Sequence, residues 1–152
     1  MPLLINNRQK FTKLNVRQIR SDLLKVLKYL QCQDREISLS LVDDKSIQAI
    51  NLEYLGRDKP TNVISFGMQE GEWPDIQPTV LGDVVISVET ACRDALAGNI
   101  EVDDEILFLF IHGLLHLLGF DHESGVEEEA TIMKRKEKEV FEKLRHYTLE
   151  RI

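Results

Sequence analysis

The sequence contains little cysteine and no long apolar run. Its two cysteines, Cys32 and Cys92, lie far apart without CxxC spacing, so we expect buried thiols rather than a disulfide framework or thiolate metal site. The apolar run from Ile106 to Ile111 is far shorter than the roughly twenty residues of a membrane span. No apolar stretch with a cleavage site follows the first basic residues. We therefore expect a cytoplasmic protein.

Basic residues are scarce in the middle of the chain. The net charge of −7 argues against a protein that coats nucleic acid along its whole surface. Residues 1–35 carry eight Lys/Arg against two Asp/Glu, residues 36–131 four against twenty, and residues 132–152 seven against four. Any single cluster of charged residues is explained by a helix face that is exposed to solvent. The basic helices at the two ends could also bind a polyanion locally.

Hydrophobic patterns predict a single domain, residues 1–152, of the α+β class. We expect a small mixed sheet of about four strands packed with about five helices. The stretch GMQEGEWPDIQPT before the fourth strand lacks helical periodicity, so the last two strands are predicted to be antiparallel. Trp73 in that stretch is either a flap residue or a loop anchor. Val102 to Leu118 is the most apolar helical pattern, which predicts a central, buried helix.

Three of the four histidines lie in the stretch HGLLHLLGFDH, residues 112–122. His112 and His116 are four residues apart, which in a helix places both imidazoles on one face. Gly119 lets the chain leave the helix and turn back, so His122 can approach the same point. Three imidazoles without a nearby fourth ligand are typical of a catalytic zinc site that keeps one position open. Nickel, cobalt and iron would also accept three nitrogens.

The alternative is that these histidines are hydrogen-bonded core residues. Two imidazoles among leucines would each need a partner in the same buried patch, at a cost of about 1–3 kcal/mol for each unpaired group. A metal ion satisfies both rings at once, so the spacing favours a metal site. The predicted cofactor is one zinc ion, bound by His112, His116, His122 and a water molecule.

The stretch lacks the general base of a protease. Its spacing, H-x-x-x-H-x-x-G-x-x-H, is that of the metzincin proteases, in which a Glu after the first histidine activates water. That position is Gly113 here, so a peptidase would have to draw its base from elsewhere. Asp121 is adjacent to His122, and we expect it to orient a ring or a loop beside the metal rather than to act as the base.

The stretch HGLLHLLGFDH closely resembles the signature HGxLHLxGYDH of the YbeY endoribonucleases, with Phe120 in place of the usual Tyr. DKPTNVISF at 58–66 and LGDVVIS at 81–87 also resemble segments of that family, and the likeness covers roughly residues 36–130. The resemblance implies a bacterial, cytoplasmic, zinc-dependent hydrolase that cuts single-stranded RNA. It further implies roles in 3′-end maturation of 16S ribosomal RNA and in ribosome quality control, with the small ribosomal subunit as partner and neither DNA nor a membrane. The implied metal ligands are His112, His116 and His122.

The resemblance also implies a functional arginine in a Tyr-Arg-Gly step before the KPT segment. In this chain the step reads Tyr54, Leu55, Gly56, so leucine occupies the position of that arginine. Arg57 lies two residues further along. It either reaches the same pocket as a catalytic residue or is an ordinary loop arginine.

The hypothesis that follows is zinc-assisted hydrolysis of RNA phosphodiester bonds, with Arg57 or a basic helix holding the RNA. The acidic middle of the chain would repel a polyanion unless Lys and Arg side chains from the two ends fold over the site. A metallopeptidase and a non-catalytic ribosome-assembly factor with structural zinc are the alternatives. The missing Glu disfavours the first, and a ligand count of three rather than four disfavours the second.

Overall fold

A computed structural model of the chain describes residues 3–67, 79–120 and 127–149. Within these residues the fold is a mixed four-stranded sheet with five helices, which confirms the predicted α+β class. Trp73 lies outside the described residues. The elements in chain order are β1 (Leu3–Asn7), α1 (Val16–Tyr29), β2 (Glu36–Val42), α2 (Asp44–Leu55), β3 (Val63–Gly67), β4 (Val80–Ser87), α3 (Val88–Gly98), α4 (Val102–Leu117) and α5 (Glu127–Arg145).

The strands lie in the order β1-β2-β4-β3. The pairs β1–β2 and β2–β4 are parallel, whereas β3 and β4 are antiparallel, as the non-helical stretch between them predicted. In this order β3 and β1 form the two edges of the sheet built by the described residues.

Helix α4 is the central helix, as its all-round hydrophobicity predicted. Ile106, Phe110, Ile111 and Leu114 are completely buried, and the helix packs against β3, β4, α1, α3 and α5. Since most of α4 is enclosed by protein, any polar side chain on it must find a partner inside the molecule. Among the described helices, none is long and apolar enough to cross a membrane, α4 included.

Helix α5 is joined to α1 and α4 by the half-buried side chain of Arg145. The Arg145 side chain donates to Asp22 of α1 at 2.7 Å and to Asp104 of α4 at 2.6 Å. The Asp22 side chain is 6% exposed, so this ion pair is largely shielded from water. The bridge fixes the position of α5 across α4, and with it the side chains that α5 presents to α4.

The two cysteines are free thiols, as predicted. Cys32 is buried just beyond the end of α1, and Cys92 is half-buried on α3. Burial raises the pKa of both thiols above the usual value. Both are therefore protonated at neutral pH, as expected of structural thiols.

Candidate active site

His112 and His116 lie together at the C-terminal end of α4. Their ring centroids are 4.7 Å apart and the ring planes are nearly perpendicular, at 80°. The helix ends where the sequence predicted: Gly119 adopts a φ of 102°, and its N–H donates to the carbonyl of His116 at 3.0 Å. A left-handed glycine at this point directs the chain away from the helix axis. The structure therefore brings two of the three predicted metal ligands onto one face.

The imidazole of His112 has a buried carboxylate partner. Nδ1 of His112 is 2.7 Å from Oε2 of Glu137 on α5, and the side chain of Glu137 is only 8% exposed. A carboxylate can only accept, so Nδ1 carries the proton and donates it. This assigns the lone pair of the neutral ring to Nε2. A buried carboxylate that fixes the tautomer in this way is the usual companion of a metal-binding histidine.

Glu137 was not among the residues predicted from the sequence. The residue expected to orient a ring or a loop beside the metal was Asp121, which lies outside the described residues. A signal for Glu137 was nevertheless present, because this residue shares the buried stripe of α5 with Met133, Val140 and Phe141. An acidic residue on an apolar helical stripe requires a partner in the core.

The third predicted ligand, His122, also lies outside the described residues. Within residues 3–67, 79–120 and 127–149, no three His, Cys, Asp or Glu side chains come together as a metal site. The donors there are His112 and His116, and a zinc ion would require at least one more ligand. The two imidazoles, the hydrogen bond from His112 to Glu137 and the adjoining cavity all fit a metal bound by nitrogen.

Gly113 of α4 packs closely against strands β3 and β4. A Cβ atom at this position would lie 3.0 Å and 3.2 Å from the two Cγ atoms of Val84 and 3.5 Å from Cγ2 of Val63. Valine is stiff at χ1, so these methyl groups have little freedom to move aside. The position that carries a Glu in metzincin proteases is therefore occupied here by a glycine that packs on β3 and β4.

Replacing Gly113 by alanine is expected to destabilise the fold by about 1–2 kcal/mol, even though alanine is the better helix former. The reason is the contact with Val84, and a double-mutant cycle isolates it. In a Val84→Ala background the same change should cost less or become stabilising. Urea unfolding of the four proteins measures the coupling. An equal cost in both backgrounds would show that the contact with Val84 is not responsible.

A cavity of about 810 Å³ opens beside the two histidines. Its lining includes both imidazoles, Gly113, residues 61–65 before and within β3, and the segment that follows α2. Among the described residues that line it, the charged ones are Arg57 and Lys59, and no carboxylate is present. The acidic middle of the chain thus supplies a cationic border to the cavity. The basic ends, which the sequence suggested for this purpose, do not line it within the described residues.

The segment that carries these cations is held in place at both ends. Gly56 caps α2 with a φ of 70°, a left-handed conformation that glycine adopts without strain. Asn51 is 2% exposed. Its backbone carbonyl accepts from the N–H of Arg57 at 3.2 Å, and its side-chain Nδ2 donates to the carbonyl of Lys59 at 2.9 Å. Leu55 and Arg57 both line the cavity, so Arg57 lies near Leu55, the residue at the position of the arginine in the family motif.

Comparison with known proteins gives a consistent result. The family model described as endoribonuclease YbeY matches residues 4–145. A protein of Syntrophus aciditrophicus named endoribonuclease YbeY is 53% identical over 150 residues, covering 99% of this chain and 94% of the relative. One of the same name from Syntrophotalea carbinolica is 50% identical over 141 residues, with coverage of 93% and 94%. The solution structure of a Thermotoga maritima protein, 24% identical, shares the fold with a TM-score of 0.60 over 95% of this chain and 92% of that one.

Proposed function

Because the chain belongs to the YbeY family of endoribonucleases, we propose that it hydrolyses phosphodiester bonds in single-stranded RNA with one zinc ion. The proposed ligands are His112, His116, His122 and a water molecule. One observation carries the proposal: two imidazoles, one of them oriented by a buried carboxylate, line a cavity whose described charged side chains are both cationic. Metal-binding nitrogens beside cations suit a phosphodiester better than a neutral peptide.

The residues of the site have separate roles in this proposal. His112, His116 and His122 would hold the zinc ion, which would supply a nucleophile near neutral pH and would offset negative charge on a phosphate. Glu137 keeps the proton of His112 on Nδ1 and thereby leaves Nε2 available as a ligand. Asp121 is proposed to orient His122 or its loop.

Arg57 is the proposed catalytic residue that contacts the scissile phosphate. Its guanidinium can donate two parallel hydrogen bonds to phosphate oxygens and so stabilise charge that develops during cleavage, while Lys59 supplies a compact positive charge nearby. Leu55 stands in this chain at the position of the arginine in the family motif. Arg57, two residues further along, lines the same cavity as Leu55. We propose that it takes over the function of the missing arginine.

The biological setting is proposed from the resemblance to the family. It comprises 3′-end maturation of 16S ribosomal RNA and ribosome quality control, in the cytoplasm, with the small ribosomal subunit as partner. Neither DNA nor a membrane is expected to take part.

A substrate panel tests the proposed reaction. The zinc-loaded protein is incubated with labelled single-stranded RNA, duplex RNA and casein, each with and without chelator. We expect cleavage of the single-stranded RNA alone, loss of cleavage with chelator, and a steep weakening of RNA binding as salt increases. Absence of RNA cleavage, or a flat salt response, would contradict the proposal.

A metallopeptidase is the second candidate, because β3 is an edge strand beside the histidine pair. An edge strand can bind an extended peptide through its unpaired backbone groups. Gly113 argues against this function, since it has no side chain that could act as the general base, and its packing leaves little room for one: an added Cβ atom would already lie 3.0 Å from a methyl group of Val84. Cleavage of casein rather than RNA in the panel would favour the peptidase.

Replacing Glu137 by alanine is expected to weaken zinc binding by about 10- to 100-fold, because the ring of His112 loses the partner that fixes its tautomer. Glu137→Gln should have a smaller effect, since an amide oxygen still accepts from Nδ1. Glu142→Ala, a change at an exposed position of the same helix, is the control. Competitive zinc titration measures affinity, and circular dichroism verifies folding. Wild-type zinc affinity in a folded Glu137→Ala protein would contradict the assigned role.

A further inference from the structure

Tyr54 is a largely exposed aromatic side chain, one residue before Leu55, which lines the cavity. It lies near the end of α2 and is 63% exposed. Its ring meets that of Phe66 on β3 edge-on, with centroids 5.3 Å apart and ring planes at 65°. This contact fixes the position of the tyrosine ring without covering most of its surface.

The other two tyrosines of the chain are engaged through their hydroxyl groups. Tyr29 donates to Glu139 at 2.6 Å, and Tyr147 donates to Asp104 at 2.7 Å. Within the described part of the chain, Tyr54 forms no corresponding side-chain hydrogen bond. Its ring contacts Phe66, but most of the side chain remains open to solvent, so Tyr54 contributes little buried apolar area to the core.

Tyr54 is close along the chain to residues that line the cavity. The next residue of α2, Leu55, lines it, and so do Arg57 and Lys59 in the segment that follows. Tyr54 itself is not among the described residues of the lining. An exposed aromatic ring thus precedes the two cations of the cavity by three and five residues.

We propose that Tyr54 stacks on one base of a single-stranded RNA whose phosphates are bound by Arg57 and Lys59. Proteins that bind single strands combine cations along the backbone with aromatic rings under the bases. A base inside a duplex is already paired and stacked and cannot lie on the ring, so the site would also favour single strands. The proposal rests on the proposed function and names part of its substrate site.

The test uses the zinc-loaded full chain and short single-stranded RNA analogues with nuclease-resistant phosphorothioate linkages and 2′-O-methyl groups. Fluorescence anisotropy measures binding by wild type, Tyr54→Ala and Tyr54→Phe. Leu96→Ala, at an apolar position on α3 that is 84% exposed, is the control. A second series of oligomers carries one abasic residue, moved along the strand. Thermal melting verifies that each variant is folded.

Tyr54→Ala is expected to weaken binding about tenfold, a loss typical of one stacked base. Tyr54→Phe and Leu96→Ala should bind as wild type does. When the abasic residue replaces the stacked base, the wild type should also bind about tenfold more weakly. With that oligomer, Tyr54→Ala should bind no more weakly than the wild type. The salt slope should be unchanged in Tyr54→Ala but smaller by about 0.7 in Lys59→Ala, which loses one phosphate contact.

Three outcomes would overturn the stacking site: no binding of the oligomers by wild type, no effect of Tyr54→Ala, or an equal effect of Tyr54→Ala at every abasic position. An equal effect would indicate that the ring supports the fold and not a base. These results are separable from the substrate panel. A wild type that binds RNA through Tyr54 and cuts none would contradict the nuclease proposal while leaving the stacking site intact.

Discussion

Replacing His116 by alanine is expected to remove bound zinc and to lower cleavage of single-stranded RNA by roughly a thousandfold or more. One of three proposed protein ligands is lost, and a third of a typical zinc binding free energy is about 4 kcal/mol, which corresponds to that factor. His116 is a better position for this test than His112. Removal of the His112 ring would also leave the buried carboxylate of Glu137 without its hydrogen-bond donor, so stability would change together with metal binding.

The fourth histidine provides the control. His146 lies beyond α5 with a φ of 64°, a left-handed conformation that asparagine tolerates, so His146→Asn should retain both zinc and activity. Metal content is measured on protein purified without a histidine tag, and cleavage on labelled RNA. A folded His116→Ala protein that keeps its zinc and its nuclease activity would contradict the assigned ligand set. If the wild type binds zinc but cuts no RNA, and His116→Ala loses the zinc, the result would instead favour a structural metal.

The sequence predicted those features of the site that are encoded within a few residues. Helical spacing placed His112 and His116 on one face, and Gly119 marked the end of the helix, because both depend on local backbone geometry. The mixed sheet and the antiparallel last pair followed from the alternation of strands with helical and non-helical connections. These predictions needed no knowledge of how distant segments meet.

Features that depend on distant contacts were not predicted. Glu137 is 25 residues from His112 and reaches it only because α5 crosses α4. For the cations of the site the sequence offered Arg57 or a basic end helix, and it did not single out Lys59; the cavity is lined by Arg57 and Lys59, both from the acidic middle. Net charge over a segment does not determine which side chains point into a cavity, since carboxylates of the same segment can face solvent. The contact of Glu137 with His112 and the position of the two cations both depend on how the helices and strands are arranged in the fold.

The glycine of the LGDVVIS stretch had no structural explanation in the sequence, and the structure supplies one. Gly82 on β4 has a φ of 142°, and it lies opposite Gly67 of β3. The register with β2 also shifts here, since Glu36 pairs with Val80 but Ile37 pairs with Gly82. Irregularities of this kind re-aim a strand and often require glycine.

Replacing Gly82 by alanine is therefore expected to destabilise the fold by about 3–5 kcal/mol, which lowers the melting temperature by roughly 10–15 °C for a chain of this size. A Cβ atom would lie 2.0 Å from the carbonyl oxygen of Phe66, and this neighbour is backbone that cannot rotate away. Gly98→Ala is the matched control, because Gly98 is helical and has no neighbouring atom within 4 Å of an added Cβ. That change should be neutral or slightly stabilising.

The cost of Gly82→Ala should also extend to function, since relief of the clash requires β3 to move away from β4. Strand β3 carries Val63, which packs beside Gly113, and Phe66, which holds Tyr54. RNA cleavage by Gly82→Ala is thus expected to fail at temperatures where wild type and Gly98→Ala remain active. Thermal unfolding and cleavage assays over the same temperature range check both parts. A Gly82→Ala protein that melts within about 2 °C of wild type would show that the strands accommodate a side chain there, contrary to the geometry of this pair.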